Sequence, residues 1–194
     1  MSPLYQAVLA NASLYKQLFI LDQDLAETSR RAGCAFCSGA LYRAPFRRKP
    51  RGVPAGLGED YCVRCSFCCA VDGCRKRLTP ASLRFLGRKV YLAVVATLIT
   101  AMRCGVTEAR LQRLPAELGV DRRTLERWRT WWLSSFSASR FWRSASAAFM
   151  PPVDASRLPA ALLDRFLGNA EQRVIAFLRW LGPITGGASA MRAF

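Results

Sequence analysis

The apolar positions along the chain change rhythm three times, and each change predicts a different kind of structure. Over residues 4–31 (LYQAVLANASLYKQLFILDQDLAETSRR) Leu, Tyr and Phe recur at helical spacing among polar residues, predicting one amphipathic helix that ends near Gly33. From residue 34 to 80 the periodicity disappears and Cys, Gly, Pro and Arg dominate. Such a segment holds too few apolar side chains for a core of its own and needs a staple. At residue 82 a nearly continuous apolar run begins, SLRFLGRKVYLAVVATLITAM, predicting a buried helix to Met102 with Pro80 and Ser82 as its start signals. Its most apolar part, residues 90–102, is short of the roughly 20 residues of a membrane span. Two shorter helices are expected over residues 107–118 and 122–135. Beyond the break at MPPVD, LPAALLDRFLG and NAEQRVIAFLRWLG read as helices, each closing on a glycine, Gly168 and Gly182, suited to a C-terminal cap. No internal repeat is visible, and strands are expected only within the cysteine-rich segment.

The fold expected from this pattern is mainly α. An N-terminal amphipathic helix (residues 1–33) is followed by a small four-cysteine zinc ribbon (34–80), a helix-turn-helix domain (81–149), and a C-terminal helical region with a loose tail (150–194).

The cysteines carry the first chemistry. The N-terminus lacks the basic region and apolar block of a secretory signal, so a cytoplasmic, nucleoid-associated location is expected, and clustered cysteines in a reducing compartment more often bind metal than form disulfides. In CAFCSG, Cys34 and Cys37 are two residues apart and Gly39 follows, the spacing that lets two thiolates and the next backbone amides wrap one tetrahedral ion. A redox role for this CxxC is disfavoured, because it follows a helix instead of opening one. The chain has no histidine, so a structural zinc site here is most simply four thiolates. For the second pair, Cys62 with Cys65, Cys65 with Cys68, and Cys69 with Cys74 all compete. Cys69 and Cys74 are favoured, since Gly73 supports a turn and CRKRLTP leaves the knuckle as a basic strand. Cys68 is the alternate to Cys69, because neighbouring side chains on a strand face opposite ways. One structural zinc is expected; Cys62 and Cys65 are expected to be free thiols, and Cys104 a core thiol.

Charge changes the picture next. The chain carries 29 Lys plus Arg against 13 Asp plus Glu, a net +16, and only Lys16, Lys49, Lys76 and Lys89 are lysines. A surplus built on arginine suits phosphates and guanine edges, which guanidinium groups contact bidentately. The expected partner is double-stranded DNA, not a membrane.

RLPAELGVDRRTLERWRTWW has the apolar spacing of a helix-turn-helix: Leu118, Gly119 and Val120 form the turn, with Leu125 and Trp128 packing behind it. Asp121 is a suitable N-cap for the second helix. Arg122, Arg123, Glu126, Arg127 and Thr130 then face outward toward a major groove. Pro115 departs from the pattern, since a small residue usually stands four before the glycine. Arg75, Lys76, Arg77, Arg47, Arg48 and Lys49 are expected to contact phosphates, and Arg140 and Arg143 are further candidates. Trp131, Trp132, Phe136 and Trp142 are expected in the core.

CAFCSG, RRKPRG, CCAVDGCRKRLTPASLRFLGRKVY and LGVDRRTLERWRTWW together resemble small bacterial proteins associated with mobile elements, similar to the N-terminal half of a transposase. The resemblance spans roughly residues 20–150. It implies a zinc ribbon followed by a homeodomain-like helix-turn-helix, with Cys34, Cys37, Cys69 and Cys74 at the ligand positions. It further implies a role in recognising element ends or an operator.

An enzyme is not expected. Only about 58 residues follow the helix-turn-helix, short of a typical domain of roughly 100, and their carboxylates, Asp154, Asp164 and Glu171, lie in expected helices. A histidine-based nuclease is excluded by composition, and no GxxxxGK[ST] phosphate loop occurs. The competing expectations are an adaptor docking onto a transposase, recombinase or RNA-guided nuclease, a transcriptional regulator unrelated to transposition, and an RNA-binding ribbon.

Overall fold

The computed structural model describes residues 3–53, 56–87, 91–103 and 120–186. The expected helix at residues 107–118, the turn with Leu118 and Gly119, Pro115 and Cys104 lie outside them. About half of the chain is helical, with a small sheet. Two compact units form, one from residues 11–93 with the segment from Leu178 onward, the other from residues up to Ala10 with 94–177.

The N-terminal helix is two helices, α1 (Pro3–Ala10) and α2 (Ala12–Arg31), where the apolar rhythm predicts one. The break has a local cause. Asn11 is extended, and its side chain accepts the Ser13 amide at 2.9 Å as an N-cap for α2. α2 ends as expected before Gly33, which adopts φ +77°. Its row Leu14, Leu18, Asp22, Ala26 is buried at four-residue spacing.

The cysteine-bearing segment forms five short strands: β1 (Leu41–Arg43), β2 (Phe46–Arg47), β3 (Val63–Arg64), β4 (Phe67–Cys69) and β5 (Arg77–Leu78). β1, β4 and β5 make an antiparallel sheet with β4 central, and β2 pairs with β3. Leu41, Phe67 and Cys69 turn inward to a core shared with Ala26 and Cys34, while Tyr42, Cys68 and Arg77 form a row on the other face.

The long helix expected over residues 82–102 begins only at Ala93; α3 spans Ala93–Arg103. Ahead of it the chain is held extended by a side chain distant in sequence. The buried Asp22 carboxylate accepts from Ser82 Oγ (2.5 Å), the Leu83 amide (2.6 Å) and Arg84 Nε (2.8 Å). Gly87 adopts φ +56°, a left-handed turn, and Phe85 bridges to Leu92. These interactions outcompete helix propensity, which is a weak preference.

Arg84 is fully buried beside Asp22. Its remaining donors reach the carbonyls of Tyr61 and Val63, and its guanidinium lies 4.8–5.0 Å from the ring centres of Phe19, Tyr61 and Phe85. Arg64, also buried, donates to the carbonyls of Pro80, Ala81 and Thr185, and burial draws its pKa down to about 10, so it stays charged at neutral pH. Thr185 Oγ1 accepts the Ser82 amide at 2.8 Å, tying residues beyond Leu178 into the same unit.

In the other unit α4 (Arg122–Thr130) runs into a π-helical turn at Trp131–Phe136, followed by α5 (Arg140–Ala145), α6 (Ala160–Leu163) and α7 (Ala170–Trp180), the last completing its course in the first unit. Trp132, Phe136 and Trp142 are buried, with Trp132 4.7 Å from Phe136 and 5.9 Å from Phe177; Trp131 is half-buried. Gly168 has the positive φ of a helix end, whereas Gly182 opens a short 3-10 turn instead of capping. Among the described residues, no helix is long and apolar enough to cross a membrane.

Breaking a buried ion pair from one side leaves an uncompensated charge at a cost of about 3–5 kcal/mol. Asp22→Ala is expected to lower unfolding stability by that amount in urea titrations. The double change Asp22→Leu with Arg84→Met is expected to lose less than either single change, because no unpaired charge remains.

Candidate metal centre and basic helix

Two turns of similar construction bring four sulfurs together. In the first, the Cys34 amide donates to the Gly39 carbonyl (2.9 Å), the Ser38 amide donates to the Cys34 carbonyl (2.8 Å), and Ser38, directly after Cys37, adopts φ +57°. In the second, the Cys69 amide donates to the Lys76 carbonyl (2.9 Å), the Cys74 amide donates to Val71 (3.1 Å), and Arg75, directly after Cys74, adopts φ +42°. The Ala70 amide joins the turns by donating to Ala40 at 2.9 Å.

Each sulfur receives the amide two residues further on: Phe36 to Cys34, Gly39 to Cys37, Val71 to Cys69 and Lys76 to Cys74. Such donors stabilise thiolates, the protonation state that ligates metal. The amide of Phe36, with that of Cys37, holds the Cys34 thiol down to about 7. The other three thiols are drawn down by their amides but end above their ordinary value, pushed up by burial and neighbouring sulfurs.

The four Sγ atoms all lie within 4.8 Å of one another, with Cys34 to Cys74 at 3.7 Å and Cys37 to Cys69 at 3.4 Å. Four sulfurs placed about 2.3 Å from one ion in a tetrahedron stand about 3.8 Å apart. The cluster therefore fits a metal ion. Cys68 takes no part. It faces away from the cluster, with Sγ 3.6 Å from the Arg75 carbonyl. Cys65 lies 3.7 Å from Gln23 Oε1, and Cys62 is half-buried outside the group.

Gly39 is required by close approach. A Cβ there would sit 2.4 Å from Val71 Cγ2 and 3.3 Å from Cys37 Sγ.

The basic residues expected at phosphates divide into two groups. Arg77 donates to Ser66 Oγ (2.9 Å) and the Ala44 carbonyl (2.8 Å), and Arg48 to the Gly87 carbonyl (3.1 Å), so both brace the cysteine module. Lys49, Arg47, Arg75 and Lys76 are exposed; Arg47 meets Glu59 at 2.8 Å and Arg75 meets Asp72 at 2.5 Å, in exposed pairs that water and salt screen.

In α4, Asp121 caps as expected, accepting from the Thr124 amide (2.7 Å) and hydroxyl (2.8 Å); these bonds hold its carboxyl below its ordinary pKa. Thr124, Leu125 and Trp128 are buried, and Arg122, Arg123, Glu126, Arg127, Arg129 and Thr130 are exposed. Arg122 meets Glu126 at 3.1 Å and Arg127 donates to Thr124 Oγ1 at 2.8 Å. Arg129 belongs to this exposed face although the groove-facing set drawn from spacing omits it. Arg140 and Arg143 are also exposed.

Serine at position 34, 37, 69 or 74 is expected to abolish stoichiometric metal in the purified chain, while Cys68→Ser retains it, by elemental analysis. Gly39→Ala is expected to weaken metal retention by roughly tenfold or more, measured by competition with a chromogenic chelator. No family model, curated protein or solved structure matches this chain, so a functional reading stands on the cysteine cluster and the basic surfaces alone.

Proposed function

We propose that the chain is a zinc-stabilised, non-enzymatic protein that binds double-stranded DNA, of the kind associated with mobile elements, recognising element ends or an operator. The observation that carries this reading is α4: four arginines stand exposed on nine residues whose other side is anchored by buried Leu125 and Trp128. An anchored helix presenting guanidinium groups is suited to the major groove, where arginine contacts guanine O6 and N7 bidentately and neighbouring arginines reach phosphates. The net charge of +16 adds a long-range attraction to a polyanion.

Zinc is the assignment for the cluster because four thiolates in a tetrahedron are one of the standard closed structural zinc sites. In this reading Cys34, Cys37, Cys69 and Cys74 hold the ion, and four ligands leave no open coordination position for catalysis. Its contribution is to folding: thiolates must be deprotonated and gathered, so binding free energy becomes folding free energy. Arg47, Lys49, Arg75 and Lys76 are supplementary phosphate contacts.

Binding to duplexes selected from a random pool is expected to weaken about 10³- to 10⁵-fold between about 50 and 200 mM salt, if about six to ten phosphates are contacted. Alanine at Arg122, Arg123 and Arg127 is expected to cost about 1–3 kcal/mol for each base contact removed, read by fluorescence anisotropy. A flat salt response, or a triple variant with undiminished affinity, would overturn the reading.

A further inference from the structure

The cysteine module exposes aromatic rings that duplex binding leaves unexplained. Among the side chains whose burial the structure describes, the exposed aromatics are Phe36 (52%), Tyr42 (65%) and Phe46 (37%), all from positions 36 to 46. The other aromatic side chains whose burial the structure describes are buried or half-buried. Exposed apolar residues scattered singly are ordinary, but a confined aromatic set beside cations marks a binding surface.

Tyr42 stands on β1 of the three-stranded sheet, Phe46 on β2 of the two-stranded one, and Phe36 in the first cysteine turn. Tyr42 on β1 is in register with Cys68 on β4, and Cys68 with Arg77 on β5, so Tyr42 and Arg77 share the face opposite the sulfur cluster. The Arg77 guanidinium lies 5.4 Å from the Phe46 ring centre and is held by its bonds to Ser66 Oγ and the Ala44 carbonyl. Lys76 Nζ stands 5.8 Å from the Phe36 ring centre. Tyr42, the most exposed of the three, leaves the π-face free that its neighbours share with cations.

In a duplex the base faces are already stacked on one another and offer nothing to an aromatic ring. Unpaired bases do offer a face, and stacking tolerates every sequence. Arg75, whose carbonyl lies 3.6 Å from Cys68 Sγ on the Tyr42 face, is held by an exposed ion pair with Asp72, which a phosphate can displace. We propose that the outer face of the β1-β4-β5 sheet, centred on Tyr42 with Phe46 and Arg77, binds unpaired nucleotides of single-stranded DNA or RNA by base stacking. The site lies on a different compact unit from α4 and does not depend on the duplex-binding reading.

The test uses the full metal-loaded chain with fluorescein-labelled oligothymidylate and oligouridylate of about 16 nucleotides, within the length such platforms cover. Anisotropy is expected to show binding of one or both, and the tighter of the two identifies DNA or RNA as the source of the strand. Tyr42→Ala is expected to weaken binding about 5- to 150-fold, as loss of one stacked base predicts. Tyr42→Phe keeps the ring and should bind as wild type, whereas Tyr42→Leu keeps apolar bulk without a π-face and should bind as weakly as alanine. Metal content of each variant reports that the sheet is intact, and duplex affinity should be unchanged in all three. The proposal is overturned if the wild-type chain binds neither oligomer, or if Tyr42→Leu binds as tightly as Tyr42→Phe. Failure of duplex binding alone would overturn the α4 reading and leave this one standing.

Discussion

Four sulfur atoms within 4.8 Å are the constraint on which the cysteine module rests. Its strands are two or three residues long, below the length at which an isolated antiparallel ladder persists in water. Thiolates gathered this closely repel one another, so without a cation the neutral thiol is favoured at Cys37, Cys69 and Cys74. A metal ion would turn that repulsion into attraction, and the two turns meet its needs from the backbone. Each sulfur receives an amide two residues ahead, and the residue after the second cysteine of each turn is left-handed. A bound ion would thus supplement the small core of Leu41, Phe67 and Cys69 against Ala26.

The module is then fastened to its surroundings by buried charge. Asp22 on α2 gathers Ser82, Leu83 and Arg84, while Arg84 reaches back to the carbonyls at Tyr61 and Val63. Helix, strands and the segment entering α3 are therefore held by one polar network surrounded by Phe19, Tyr61 and Phe85. Such a network stabilises only when every member is satisfied. Leu41, Phe67 and Cys69 take up the inner side of the sheet, which leaves Tyr42 exposed on the outer side in one row with Cys68 and Arg77.

The residues that were legible in the sequence are those whose partners are near in the chain or share its chemistry. Cys34 and Cys37 announce a turn by spacing and by Gly39; strand alternation separates Cys69 from Cys68; Asp121 announces the start of α4. The misread residues answer to distant partners. The apolar run from Ser82 has the composition of a helix, but Asp22, sixty residues earlier, takes hold of its first three residues. The signal was present as an acid in an apolar row: Leu14, Leu18, Asp22, Ala26. Composition showed an acid on a helix but not the arginine facing it. The bonds of Arg77 and Arg48 to backbone carbonyls are likewise invisible in a basic run, where these residues look like any others. Asn11 is a local signal that periodicity alone passes over, because a polar residue fits the rhythm while its side chain caps a new helix.

In the proposed reading Cys34, Cys37, Cys69 and Cys74 together hold one zinc ion and are its sole ligands. X-ray absorption at the zinc edge of the purified chain tests it directly. The account predicts one zinc per chain surrounded by four sulfurs at about 2.3 Å, with no nitrogen or oxygen in the first shell. A shell containing oxygen or nitrogen donors, or a chain purified under reducing conditions without zinc, would contradict it.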